Sequence, residues 1–149
     1  MANIGCDVEE EKSKMNIEQV ELIRNSLIQV RPIADQIAES FYAHLFEITP
    51  HLQKLFTGDM RRQGTMLMTS LELAVSSLDD PDSILPSVKA LGERHVSYGV
   101  KVEYYGLAKE AFLWALENHL GDEFSPALKG AWIEAFDALV EAMISAADN

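Results

Sequence analysis

The stretch "LGERHVSYGV", residues 91–100, places a single histidine on the apolar stripe of a predicted helix. The stripe runs with spacings of four, three and four residues through Ile84, Val88, Leu91 and His95. Because this spacing follows one face of a 3.6-residue helix, His95 is predicted to point into the interior. Burying an imidazole costs free energy unless its nitrogens find partners. One nitrogen can donate to a carbonyl one turn earlier, at Leu91 or Val88, which leaves the other nitrogen to be explained.

Two interpretations of that second nitrogen stay open on spacing alone. A neutral imidazole is a common metal ligand, so the nitrogen can bind a metal ion. Alternatively, His95 is a core histidine whose second nitrogen contacts another side chain or a water molecule.

Two further polar side chains are predicted to face inward from other helices. Gln63 lies four residues before Leu67 on the apolar face of a helix predicted over residues 59–78. Tyr42 lies on the inward stripe of the preceding long helix. Together with His95, these side chains form either a chance network of polar core groups or the lining of a cofactor pocket.

The helical periodicity continues along most of the chain, and strand-like alternation is nearly absent. Asn16 and Asp59 are predicted helix caps, and Gly99 is predicted to end the helix that carries His95. The predicted segments, counting the short turn at 50–56, are residues 16–30, 32–49, 50–56, 59–78, 83–96, 103–119 and 126–146. About seven helices of unequal length favour an all-α, irregular stack over a uniform four-helix bundle.

Length and charge limit the function classes. The 149 residues suit one compact domain, predicted over residues 16–149, after an acidic flexible tail at residues 1–15. A net charge of −12 argues against nucleic acid and against an anionic membrane surface as partners. Cys6 is the only cysteine, so no internal disulfide is possible. With no apolar run of about 18 residues, the expected location is a reducing cytoplasm.

Three stretches together carry a resemblance to a known family: "FYAHLFEITPHLQKLF" (41–56), "MRRQGTMLM" (60–68) and "RHVSYGVKVEYY" (94–105). They resemble the globins, in particular single-domain bacterial haemoglobins and the globin domain of flavohaemoglobins. The resemblance covers about residues 16–147. It implies a globin fold that encloses a haem pocket. Because only six residues separate Phe56 from Gln63, no separate helix is expected between Phe56 and the distal helix.

The resemblance implies roles for individual residues. His95 matches the proximal ligand of the iron of haem b, and Tyr42 and Gln63 match the distal residues that stabilise a bound ligand. The remaining cofactor contacts are the wedge residue Phe56, Leu67 over the iron, Leu91 and Val100 on the proximal side, and the proximal tyrosine Tyr105; Met66 is predicted at the pocket edge. Arg62, Arg94 and Lys101 are candidate partners of the haem propionates.

One departure concerns a proximal polar relay. Flavohaemoglobins carry a glutamate in the last helix near the proximal histidine, and the matching position here is Ala147. Asp148 is adjacent, but one residue turns a helix by about 100°. The relay is therefore in question. No histidine occupies the distal position, and His44, His51 and His119 are predicted at the surface.

The implied function is high-affinity, reversible binding of dioxygen, with carbon monoxide and nitric oxide as further ligands. A carrier tuned for easy oxygen transport and unloading is less expected, because two distal donors slow release. Nitric oxide detoxification by dioxygenation is the implied enzyme activity, and it requires an external reductase because no GxGxxG motif is present. The alternatives are a globin-fold gas or redox sensor, and a helical interaction module.

Overall fold

A computed structural model describes residues 15–56, 58–78 and 80–148. The tail predicted at residues 1–15 lies outside this part of the chain, apart from Met15. The described residues form α-helices and short 3-10 segments and no β-strand. The all-α class predicted from the sequence is therefore confirmed.

Six α-helices follow one another along these residues. They are α1 (Ile17–Val30), α2 (Ala34–Ile48), α3 (Met60–Ser76), α4 (Leu85–Ser97), α5 (Val102–Leu120) and α6 (Pro126–Asp148). The 3-10 segments are Arg31–Ile33, Pro50–Leu55, Pro81–Ile84 and Gly121–Glu123. The predicted short turn at residues 50–56 is thus a 3-10 segment, which explains why six α-helices stand where about seven helices were expected.

Local side-chain chemistry sets several helix ends as predicted. Asn16 caps α1 in a reciprocal pair with Gln19, whose backbone N–H donates to the Asn16 side chain over 2.8 Å. Asp59 accepts from the backbone N–H of Arg61 over 3.0 Å, so α3 begins directly after the Phe56 segment. Gly99 has a φ of 90°, a left-handed conformation that glycine adopts without strain, and it follows the end of α4.

The centre of the fold is α2, which packs against α3, α5 and the Pro50–Leu55 segment. The last helix, α6, packs against α1, α4 and α5. The largest fully buried side chains lie where these layers meet: Trp132, Phe112, Ile23, Ile37, Leu116 and Val30. Trp132 packs edge-on against Phe112 and donates through its indole N–H to Ser26 Oγ over 3.1 Å, so this buried polar atom is satisfied.

A glycine brings α4 and α6 into direct backbone contact. A Cβ at Gly92 would collide with the carbonyl group of Met143, with its carbonyl carbon only 3.1 Å away. Any larger residue at position 92 therefore requires the two helices to separate. Gly92 lies three residues before His95 on the same helix. The contact therefore fixes the distance between α4 and α6 close to His95.

A small apolar cavity of about 20 Å³ lies between α3 and α6. Its lining is entirely hydrophobic: Leu71, Ala74, Val75, Leu78, Trp132, Ala135, Phe136 and Leu139. An apolar void of this kind stays dry because water would find no hydrogen-bond partner in it.

Two of the three histidines predicted at the surface are half-buried. The His44 ring stacks flat on Trp114, with centroids 4.1 Å apart and an angle of 5° between the planes. His119 Nε2 lies 2.8 Å from Ser40 Oγ. His51 is exposed as predicted. His44 and His119 thus lie at the surface but are partly covered, because α2 and α5 pair side by side, which helix periodicity does not show.

Among the described residues, no helix is long and apolar enough to cross a membrane.

Candidate functional site

Three aromatic rings surround the inner side of α2 near the Pro50–Leu55 segment. The Tyr42 ring lies 5.3 Å from Phe56 and 6.0 Å from Phe46, and Phe46 lies 5.3 Å from Phe56. Tyr42 is 9% exposed, while Phe46 and Phe56 are partly buried against the main core. The cluster forms because Tyr42 and Phe46 are one turn apart on α2 and the chain then returns through the 3-10 segment.

The Tyr42 hydroxyl is a weakly engaged donor. It donates to the backbone carbonyl of Gln63 over 3.5 Å, at the long limit of a hydrogen bond. Burial raises the pKa of Tyr42 to about 12. The phenol therefore keeps its proton at neutral pH and can turn this donor toward another acceptor.

The His95 imidazole is arranged as a neutral ring with one free nitrogen. Its Nδ1 lies 2.8 Å from the Leu91 carbonyl, which accepts only if Nδ1 carries the proton. The pKa of His95 lies below its ordinary value, mainly because the ring is partly buried. The hydrogen bond to the Leu91 carbonyl opposes this shift, and the nearby charge of Arg94 adds to it. Within the described residues, Nε2 has no hydrogen-bond partner. An imidazole held in this tautomer presents the Nε2 lone pair, which is the form that binds metals.

Two tyrosines flank the imidazole on its own side of the fold. The ring centroids of Tyr105 and Tyr98 lie 6.0 Å and 6.5 Å from that of His95. Burial raises the pKa of Tyr105, so its phenol is neutral as well. The backbone N–H of Val100 donates to the carbonyl of His95 over 3.0 Å and closes the turn that follows α4.

The structure brings together some of the predicted site residues and separates others. Tyr42, Phe56 and Gln63 form one group, and His95, Tyr105 and Val100 form another. The predicted contacts Gln63, Leu67, Leu91 and Val100 are all half-buried, whereas Met66 is 44% exposed. Among the described residues, no hydrogen bond or ring contact joins His95 to Tyr42 or Gln63. No group of three or more His, Cys, Asp or Glu in this part of the chain is arranged to hold a metal ion.

The question of a proximal carboxylate concerns side chains that the structure does not describe. Ala147 and Asp148 lie in the last turns of α6, and their side chains are outside the described part. Ala147 has no carboxylate by its chemistry. Among the described residues, the hydrogen bond that orients His95 is the one to the backbone carbonyl of Leu91.

Three residues near the site were not predicted as part of it. Phe46 belongs to the distal aromatic group, Tyr98 flanks His95, and Gly92 brings α4 against α6. A sequence signal existed for each of them, because each lies three or four residues from Tyr42 or His95 on the same helix or its end. Helix periodicity predicted which side of each helix faces inward, but it did not distinguish residues of the site from residues of the core.

A half-buried imidazole with a free Nε2 and a buried phenol that keeps its proton, within an irregular stack of helices, are features found in helical haem proteins. The comparison with known families agrees: the globin family profile matches residues 39–143. The chain belongs to the globin family. Family membership implies haem binding and confirms the globin fold.

The chain is similar to the flavohemoprotein of Bacillus subtilis, with 28% identity over 128 residues, 84% of this chain and 32% of that protein. It therefore spans about a third of the length of the curated relatives it matches. An engineered carbene transferase from Rhodothermus marinus, whose parent is described as a candidate nitric oxide dioxygenase, has a TM-score of 0.81 at 25% identity, covering 89% of this chain and 92% of that one. A bacterial globin from Campylobacter jejuni shares the fold, with a TM-score of 0.80 at 21% identity, covering 89% and 96%.

Proposed function

We propose that this chain holds haem b through His95 Nε2 and binds dioxygen reversibly and with high affinity. The observation that carries the proposal is the hydrogen bond from His95 Nδ1 to the Leu91 carbonyl, which leaves Nε2 as the free, unprotonated nitrogen. Haem, when bound, supplies an iron centre that binds diatomic gases and changes oxidation state. The described side chains fit this group, because none of them forms a hydrogen bond with Nε2.

Apolar side chains on both sides of the site would cover the faces of the cofactor. Phe56 and Leu67 serve the distal side, and Leu91 and Val100 serve the proximal side. All of them are half-buried, as expected for side chains whose remaining surface is available to a ligand. Arg62, Arg94 and Lys101 are exposed cations suited to the propionates, and Met66 is suited to the pocket edge.

Tyr42 and Gln63 would stabilise a polar diatomic ligand by donating hydrogen bonds to it. The Tyr42 hydroxyl keeps its proton well above neutral pH and gives up only a 3.5 Å bond when it turns. A hydrogen bond contributes about 0.5–1.5 kcal/mol, and about 1.4 kcal/mol is a tenfold change in affinity. Two donors therefore favour tight binding and slow release of dioxygen. Carbon monoxide gains less from them, because it is less polar when bound.

Nitric oxide dioxygenation with an external reductase is the finer part of the proposal. It is supported by the similarity to flavohemoproteins and to a structure described as a candidate nitric oxide dioxygenase. The measurement is nitrate production from nitric oxide with and without an added reductase. Equal nitrate yields per protein in both conditions would exclude turnover and leave oxygen binding alone. A reducing cytoplasm is the proposed compartment, in keeping with the single cysteine.

The test of the haem assignment is the absorbance spectrum of the purified protein supplied with haem. We expect a strong Soret band, with the band lost or shifted in His95→Ala and restored by added imidazole. His51→Ala is the matched control, because His51 is exposed and lies outside the site. A His95→Ala spectrum identical to that of the original protein, with full haem content, would refute the ligand assignment. A protein that takes up no haem at all would favour an interaction module.

A further inference from the structure

Basic residues are concentrated in two segments of an otherwise acidic chain. Residues 51–62 and 86–104 contain six of the 12 lysines and arginines but only three of the 24 acidic residues. The cations are Lys54, Arg61, Arg62, Lys89, Arg94 and Lys101, and the acids are Asp59, Glu93 and Glu103. Since the whole chain has a net charge of −12, these two segments form a local positive region.

The two segments are neighbours in space as well as in charge. Leu55 Cδ2 lies 3.6 Å from the position that a Cβ would take on Gly99. The rings of His51 and Tyr104 are 5.7 Å apart. The Pro50–Leu55 segment and the turn after α4 are therefore in contact. We define the basic rim as residues 51–56, 58–62 and 86–104, which adds the start of α3 and the helix α4 that flank this contact.

The cations of the basic rim are free to act on a partner. All six are exposed, and none makes an ion pair with a described residue. Elsewhere in the fold, Lys109 pairs with Asp137 over 2.9 Å and Arg31 pairs with Glu72. Two haem propionates need at most two or three cations, so the rim has positive charge beyond what the cofactor requires.

Exposed apolar side chains lie among these charges. Val96, Tyr98 and Val102 are 62%, 56% and 64% exposed, and the Tyr98 ring lies 6.5 Å from the His95 ring. Aromatic and aliphatic groups surrounded by charge are typical of the contact surfaces between proteins. A protein that covers this surface comes close to the ligand of the iron.

We propose that the basic rim is the docking surface for a separate electron-donor protein with an acidic contact face. The proposal rests on the proposed function, because it assumes an iron centre at His95 that needs to be reduced. In the step itself the donor loses one electron and ferric iron gains it to become ferrous, and no covalent bond forms or breaks. The local positive region favours approach of the acidic donor on this side, although the whole chain carries a net charge of −12.

A protein partner fits this surface better than an anionic membrane does. The field of exposed charges decays over about 8 Å at physiological ionic strength, so a protein of limited size can contact the rim and avoid the acidic remainder. A membrane is an extended negative plane, and it would also face the acidic surfaces beside the rim.

Charge reversal at matched sites tests the proposal. Lys54→Glu and Arg61→Glu change the rim outside the proposed propionate partners, and Lys129→Glu makes the same change on α6, at an exposed lysine with no described ion pair. The probe is reduced flavodoxin, an acidic one-electron donor, with the haem-loaded protein in its ferric form. We measure the reduction rate by absorbance and the Kd by calorimetry at low and high salt.

We expect each rim variant to slow reduction and weaken binding by roughly 3–10-fold at low salt, because rim charges act mainly on association. The Lys129→Glu variant should stay within twofold, and 0.5 M NaCl should remove the differences. Equal effects at Lys54 and Lys129, or no effect at either, would overturn the proposal. Binding to phosphatidylglycerol vesicles tighter than to flavodoxin would overturn it in favour of a membrane. Calorimetry measures docking whether or not haem binds, and the absorbance spectrum shows whether haem is bound. A failure of the haem assignment can therefore be told apart from a failure of the docking proposal.

Discussion

Tyr42 is the residue whose chemistry depends most on its place in the fold. Its ring packs against Phe46 and Phe56 in the core, while its hydroxyl reaches only a distant backbone carbonyl of α3. A buried phenol whose hydroxyl has only a weak partner costs folding stability. In our proposal the hydroxyl finds a better partner when a ligand binds, and two experiments separate the ligand role from the structural role.

Replacing Tyr42 with phenylalanine keeps the aromatic contacts and removes the donor. We expect Tyr42→Phe to speed oxygen dissociation about 3–10-fold, since one hydrogen bond contributes about 0.5–1.5 kcal/mol. Carbon monoxide dissociation should change less, because its acceptor is weaker. Stopped-flow measurement of both gases, with Tyr104→Phe as control, tests this. Unchanged oxygen release in Tyr42→Phe would mean that the hydroxyl stays bonded to α3.

The raised pKa of Tyr42 also predicts how stability depends on pH. An unfolded tyrosine loses its proton near pH 10, but burial raises the folded pKa of Tyr42 to about 12. Below pH 10 both states keep the proton and the full stability is present; between pH 10 and 12 only the unfolded state releases it. Stability should therefore fall through this window, and the full loss reached above pH 12 is about 3 kcal/mol, at about 1.4 kcal/mol per pKa unit.

Urea unfolding at pH 9.5 and 11.5 gives the loss of unfolding free energy between these two values. The loss is measured for the original protein and for Tyr42→Phe. The other tyrosines titrate in both proteins, so only the difference between the two losses reports on Tyr42. An equal loss in the two proteins would show that the phenol is not buried in solution.

At the scale of the element, the helix α4 owes its position to a single glycine. Gly92 lets the backbone of α4 touch Met143 on α6, and His95 follows less than one turn later. The sequence predicted that His95 faces inward, because the spacing from Ile84 to His95 is helical. It did not predict which helix α4 would press against, because that contact depends on a residue without a side chain.

Gly92→Ala should therefore destabilise the protein by about 1–3 kcal/mol, as overpacking of a tight contact does. Gly106→Ala on α5 is the control, because nothing lies within 4 Å of its Cβ position. In a helix this control should be neutral or slightly stabilising. Chemical unfolding gives both values, and the Soret band of Gly92→Ala reports whether His95 has moved. Equal stability of the two variants would show that α4 and α6 have room to separate.

The helices were largely predictable, and the contacts between them were not. Asn16, Asp59 and Gly99 set boundaries through local chemistry, and local chemistry can be read from sequence. The stacking of His44 on Trp114 depends on how α2 and α5 pair, which involves residues 70 positions apart. For the site, periodicity predicted that Tyr42, Gln63 and His95 face inward, and only the resemblance assigned them distal and proximal roles.

At the scale of the whole molecule, a void of about 20 Å³ lies in the packing between α3 and α6. Val75 lines this void and is 3% exposed. Val75→Ile adds one methylene there and should stabilise the protein by about 0.5–1 kcal/mol, since removing one typically costs that much. Thermal unfolding measures the gain, and Val102→Ile is the control because Val102 is 64% exposed. A lower stability of Val75→Ile would mean that the space cannot take a methylene.

The flat stack of His44 on Trp114 also gives the molecule an optical property. Trp114 is 39% exposed, whereas Trp132 is 2% exposed in the core. Indole fluorescence shifts to longer wavelength in water, so in the haem-free protein, where haem does not quench the emission, the two tryptophans should emit as a red and a blue component, and iodide should quench only the first. Loosening of α2 from α5 would change the red component alone, whereas global unfolding would shift both, so the intrinsic emission distinguishes a local opening from loss of the fold.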